Sequence, residues 1–101
     1  MAFVKVAKTA EIPAGSIQEV NVGGKEIAVA NVDGKFHAID NTCLHLGGPL
    51  GQGVMEGNLV TCPWHGWQYD VTNGKIPQDP STGVNCYRLE VRGEEIFIDV
   101  D

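Results

Sequence analysis

An all-β fold, a β-sandwich carrying a small inserted subdomain, is predicted by three observations. Apolar residues near both ends of the chain recur with period two rather than 3.6, which sends successive side chains to opposite faces of a strand. The pairs Gly23-Gly24, Asp33-Gly34 and Arg92-Gly93 interrupt these runs where tight hairpins need positive φ. Between Asp40 and about Pro80 the alternation gives way to glycine, at positions 47, 48, 51, 53, 57, 66 and 74, and to a concentration of His, Cys and Trp.

Taken in order, Phe3–Lys8 reads as a first strand, and residues 11–15, with Pro13 inside them, as a turn or a single helical turn. Ile17–Val22 and residues 26–32 form a hairpin about Gly23-Gly24, and residues 35–39 add a fourth strand whose apolar set is Phe36, Ala38 and Ile39. After the glycine-rich stretch, residues 85–91 and 94–100 alternate again, giving a terminal hairpin expected to complete the first sheet. The middle is therefore an insert. No repeat, linker or low-complexity run divides the chain, so residues 1–101 are expected to form one domain with a subdomain at about 41–76.

Composition narrows the function. Seven Lys and Arg against thirteen Asp and Glu leave a net charge of −6, which argues against nucleic acid because phosphate neutralisation needs clustered cations. No apolar run approaches the roughly 18 residues that span a bilayer, and residues 1–16 lack the apolar stretch of a secretory signal, so a soluble cytoplasmic protein with no membrane partner is expected. Three cysteines, Cys43, Cys62 and Cys86, cannot all pair within one chain, and in a reducing compartment such residues more often bind metal or stay free.

Two short motifs carry the chemistry. Cys43 and His45 form C-x-H, Cys62 and His65 form C-x-x-H, and sixteen residues separate them. Two thiolates and two imidazoles suit a tetrahedral zinc, or a two-iron cluster with sulfur on one iron and nitrogen on the other. Zinc fingers usually take both cysteines from one knuckle and both histidines from a helix. Here each knuckle offers one of each, a pattern that suits a binuclear centre better.

The segments CLHLGGPL at 43–50 and CPWHGWQYD at 62–70 resemble the two cluster-binding loops of Rieske iron-sulfur proteins, and the flanking strands resemble small Rieske-type ferredoxins over nearly the whole chain. The resemblance implies a Rieske-type β-sandwich with a rubredoxin-like cluster-binding subdomain. It also implies one [2Fe-2S] cluster per chain, with Cys43 and Cys62 on one iron and His45 and His65 on the other. Gly47, Gly48 and Gly66 would then admit backbone N–H groups to the cluster sulfurs. Pro49 and Leu50 would cover one side of the cluster, and the 77–80 segment another.

Departures from the family pattern are informative. High-potential members resemble this chain but carry an extra cysteine in each loop, forming a disulfide; Gly48 and Trp64 stand in those places. A serine that bonds a bridging sulfide is replaced by Trp67, while the tyrosine that bonds a cysteine sulfur corresponds to Tyr69. With one of two donors to sulfur missing, the potential is expected in the lower part of the range of about −150 to +300 mV.

After the ligands are assigned, His37 is the only histidine left, and it reads as a strand residue. One histidine cannot supply the two-His, one-carboxylate set of an oxygenase iron, so the chain is expected to carry electrons and to catalyse nothing itself. Cys86 reads as a buried apolar residue, and Glu94, Glu95, Asp99 and Asp101 as a solvated acidic edge. Trp64 and Trp67 suit either core packing or docking. By resemblance, the chain is a monomeric ferredoxin that takes electrons from a flavin-dependent NAD(P)H reductase and passes them to the terminal oxygenase of a ring-hydroxylating dioxygenase. Two alternatives are the small Rieske subunit of an NAD(P)H-dependent nitrite reductase and a zinc-stabilised binding module without redox function.

Overall fold

A computed structural model describes residues 3–44, 47–64 and 66–99. Among them the secondary structure is strand, apart from two 3-10 turns at Thr9–Glu11 and Leu50–Gln52. No helix among the described residues is long and apolar enough to cross a membrane.

Two antiparallel sheets face each other. In the first, strand β12 (Glu95–Asp99) lies between β1 (Phe3–Lys8) and β11 (Leu89–Arg92). In the second, β2 (Ile17–Val22), β3 (Lys25–Val32), β4 (Lys35–Asp40) and the short β10 (Cys86–Tyr87) are ordered β10-β4-β3-β2. Between them pack Ala7, Ile12, Val22, Ile27, Val29, Ala38, Ile96 and Ile98, all buried. Fully burying an Ile or Val of this set stabilises the fold by about 1.5–3 kcal/mol before the cost of ordering the chain.

The insert holds a three-stranded sheet of β5 (Val54–Glu56), β6 (Leu59–Thr61) and β7 (Gln68–Asp70), and a ribbon of β8 (Lys75–Ile76) with β9 (Asp79–Gly83). It packs on the other face of β3. Strand periodicity explains how: Ile27 and Val29 point into the sandwich, while Ala28 and Ala30 point toward Cys43, Leu50, Val60, Cys62 and Tyr69 of a second core. Two alanines on that face leave room for the loops to approach the sheet.

The terminal hairpin departs from expectation. Residues 85–91 do not run as one strand completing the first sheet, because the chain changes sheets at Arg88. Tyr87 pairs with Ala38 in one sheet, and Leu89 pairs with Ile98 in the other. Asp40 holds the first half in place. Its carboxylate accepts from the Tyr87 hydroxyl and from the Asn85 N–H at 3.0 Å, and its own N–H donates to the Asn85 carbonyl at 3.0 Å. The Asp99 N–H donates to the Arg88 carbonyl at 2.9 Å, which commits the next residues to β12. Strands that switch sheets at a corner are a known way to close a sandwich.

Candidate metal centre

Two loops rise from the insert, each pinned at its base. In the first, the Cys43 N–H donates to the Gly48 carbonyl at 2.8 Å, the Gly47 N–H donates to the Cys43 carbonyl at 3.1 Å, and Thr42 bridges to Pro49. In the second, between β6 and β7, the Cys62 N–H donates to the Trp67 carbonyl at 2.7 Å. The loops place both cysteines in one core, Cys43 at 1% and Cys62 at 2% exposure. Burial pushes the Cys62 thiol above its ordinary value and the Cys43 sulfur beside it adds to the rise, while the Trp64 N–H, 3.4 Å from Cys62 Sγ, opposes it. Two buried sulfurs in contact cannot both ionise cheaply unless a cation lies between them. That donor chemistry fits an iron site.

Tyr69 is the third fixed element. Its ring is fully buried on β7, and its hydroxyl lies 3.2 Å from Cys43 Sγ while accepting from the Leu44 N–H at 3.0 Å. With that N–H occupying an oxygen lone pair, the hydroxyl hydrogen is free to point at sulfur. Burial, with the Cys43 contact adding, holds its pKa well above the ordinary phenol value.

Of the three glycines expected to admit donors, Gly48 is required by a close approach. A Cβ there would lie 2.6 Å from Cys62 Sγ and 3.1 Å from the Trp64 ring. Gly47 and Gly66 instead carry φ near +73°; a Cβ would meet only Thr42 Cγ2 at 3.7 Å in the first and nothing within 4 Å among the described residues in the second, so their requirement is conformational. Leu50 is fully buried in the core that holds both cysteines. Residues 77–80 are exposed and face the second loop across a groove of about 460 Å³, lined by Gly66, Trp67, Gln68, Ile76, Gln78 and Asp79 among others. His45 and His65 lie outside the described residues.

Of the residues with two readings, Trp64 and Trp67 are surface groups, 48% and 37% exposed, and Leu44 of the first loop is 53% exposed. His37 is half-buried on β4, opposite Ala30. Two expectations are corrected. Cys86 is exposed rather than buried, because β10 is a two-residue edge strand with no further strand beyond it. Asp99 is 8% exposed and does not belong to a solvated acidic edge, because it lies at the sheet crossing opposite Phe3. Glu94 is exposed and Glu95 pairs with Lys5 at 2.6 Å, while Asp101 lies outside the described residues. Sequence reasoning passed over Asn41, a buried polar side chain at the root of the first loop. Its signal was an amide residue closing an apolar strand two positions before a ligand motif.

The model of the Rieske [2Fe-2S] domain matches residues 2–88. The ferredoxin component of a naphthalene 1,2-dioxygenase system from Pseudomonas aeruginosa is 35% identical over 91 residues, covering 89% of this chain and 88% of its own length. The ferredoxin of carbazole 1,9a-dioxygenase from Nocardioides aromaticivorans IC177 superposes with a TM-score of 0.89 at 28% identity over 97% of both chains. A chain in a complex of reduced oxygenase and oxidized ferredoxin of carbazole 1,9a-dioxygenase superposes at 0.86 and 30% identity, over 95% of this chain and 91% of that one. The chain belongs to the Rieske [2Fe-2S] domain family, and its cofactor is a [2Fe-2S] cluster. The zinc-module alternative falls with that finding.

Proposed function

We propose that this chain is a one-electron carrier of a ring-hydroxylating dioxygenase system, accepting electrons from a flavin-dependent NAD(P)H reductase and delivering them to the terminal oxygenase. The buried Cys43–Cys62 pair beneath an exposed apolar tip carries the reading. Support also comes from relatives that are named as ferredoxin components and match this chain nearly end to end. The same names favour a carrier over the fixed subunit of a nitrite reductase.

Cys43 and Cys62 are assigned to one iron, and His45 and His65 to the other. The cluster supplies the one-electron couple. The protein supplies its setting: Tyr69 donates to the Cys43 sulfur, Gly48 allows the first loop to close on Cys62, and Leu50 and Val60 keep water from the sulfur side. Leu44, Trp64 and Trp67 form the docking tip. Residues 41–67 contain a single charged side chain, Glu56, so the partner's facing surface should be largely uncharged. The remainder of the net charge of −6 lies outside this segment, where it can steer approach without entering the contact.

The assignment is tested with purified holoprotein and the two partner components. Electron flow from reductase to oxygenase should require this chain and should fall about tenfold in Trp64→Ala or Trp67→Ala, as expected for an aromatic anchor. Transfer rates equal to wild type in both variants would remove the tip from the mechanism. Ligation by two imidazoles predicts a potential that becomes more negative as pH rises through their deprotonation, because the oxidised state favours loss of those protons. A potential constant into strongly alkaline solution would exclude His45 and His65 as ligands.

A further inference from the structure

The first loop is tied to the sandwich through one buried carboxamide. Asn41 is 1% exposed, and each of its polar groups is bonded. Its N–H donates to the Glu26 carbonyl at 3.2 Å, and its carbonyl accepts from the Leu50 N–H at 2.6 Å. Its Oδ1 accepts from the Gly51 N–H at 2.6 Å, and its Nδ2 donates to Glu19 Oε2 on β2 at 2.6 Å. The other Glu19 oxygen accepts from Gln52 Nε2 at 2.9 Å. The chain thus leaves the sheet at residue 41 and returns at residues 50–52 against the same two side chains. Packing there is close: a Cβ on Gly51 would sit 2.3 Å from Glu19 Cγ and 2.8 Å from Asn41 Oδ1.

Above this base the two arms are joined rung by rung, Thr42 to Pro49 and then Cys43 to Gly48. A shift at residue 41 is therefore carried over two residues to the Cys43 sulfur. The chemistry of the base is selective. The side chain at 41 must accept from the 3-10 turn and donate to a carboxylate at once, which an amide does and neither a carboxylate nor an alkyl group can.

We infer that Asn41, oriented by Glu19, is the positioning residue that sets the first loop and with it Cys43. It acts through the backbone and does not touch the cluster. The inference rests on the assignment of Cys43 as a ligand.

Reversing the polarity of the pair tests it. Asn41→Leu removes both bonds, and Asn41→Asp sets a carboxylate against that of Glu19. In Asn41→Asp combined with Glu19→Gln, the amide at 19 donates to the carboxylate at 41 and still accepts from Gln52. Cluster loss from holoprotein to an iron chelator is followed by visible absorbance, with the EPR g-values of the reduced protein and far-UV circular dichroism recorded alongside. Both single variants should lose the cluster at least about tenfold faster than wild type, as expected when a hydrogen bond to a charged group is lost, with shifted g-values and the β-sheet spectrum retained. The double variant should return to within about twofold of wild type in rate and recover its g-values. Should Asn41→Asp yield no holoprotein, restored cluster content in the double variant carries the same meaning. Wild-type release rates in the single variants, or a double variant no better than Asn41→Asp, would overturn the positioning role. Cys43→Ser, run in parallel, separates the two levels: a cluster retained there refutes the ligand assignment itself.

Discussion

The two faces of β3 look onto cores of different material. On one side Ile27 and Val29 meet Ile96 and Ile98 in an interior whose buried residues are all aliphatic, with Phe36 and Tyr87 packed at its margin. On the other, Ala28 and Ala30 meet Cys43, Cys62 and the hydroxyl-bearing Tyr69. The first core is stabilised by removing apolar surface from water and asks for no cofactor. The second contains two thiols and a phenol whose favourable arrangement depends on what the sulfurs hold. One strand therefore divides a region that folds on hydrophobic burial from the region proposed above to hold the cluster.

The largest break in that comparison should come from Cys62→Ser. Complete loss of cluster absorbance and of bound iron is expected, with faster amide exchange at Cys43, Gly48 and the Cys62–Trp67 bond, while β3, β4 and β12 remain protected. Hydrogen exchange equally slow in both regions without iron would show that the insert is self-supporting after all. Ile96→Ala should act in the opposite sense. It removes a fully buried side chain from the aliphatic core, and about 2–5 kcal/mol of global stability should be lost in urea denaturation. The visible spectrum of the folded fraction should stay unchanged.

A finer probe lies within the metal-side core. Tyr69→Phe keeps the ring but removes the donor to Cys43 Sγ, and a donor to sulfur favours the more negative reduced state. A net hydrogen bond of about 0.5–1.5 kcal/mol corresponds to a fall in potential of roughly 20–60 mV for one electron. Voltammetry showing no fall would mean that the hydroxyl serves only the Leu44 N–H.

The smallest effect concerns Glu19, which joins the two regions. Hydrogen bonds from Gln52 and then Asn41 hold its carboxyl below the ordinary 4.5, against a smaller opposing push from burial. Its contribution is therefore fully present above that ordinary value and is lost as pH falls through the lowered one. The stability difference between wild type and Glu19→Gln should shrink across that acid window in denaturant titrations. A difference that is constant with pH would detach the Glu19 carboxylate from the bonds to Asn41 and Gln52.

Much of this was legible in the residues. Phe3–Lys8 and Ile17–Val22 appear with the predicted limits, and the neighbouring strands differ by a residue at one end, since alternation and Gly-Gly or Asp-Gly turns are local signals. The family and its [2Fe-2S] cofactor were equally readable, because thiolate and imidazole at short spacing have few uses. What only tertiary structure decided are the properties that depend on distant partners. Whether residues 85–91 form one strand or two turned on Asp40, 45 residues before Asn85 in the chain. Cys86 is exposed because its strand lies at a sheet edge, and Asp99 is buried because the chain crosses between sheets beside it. Asn41 looked like any polar loop residue until Glu19, 22 positions away, was brought against it. Side-chain periodicity belongs to a segment alone, whereas burial and hydrogen-bond satisfaction belong to the segments that meet.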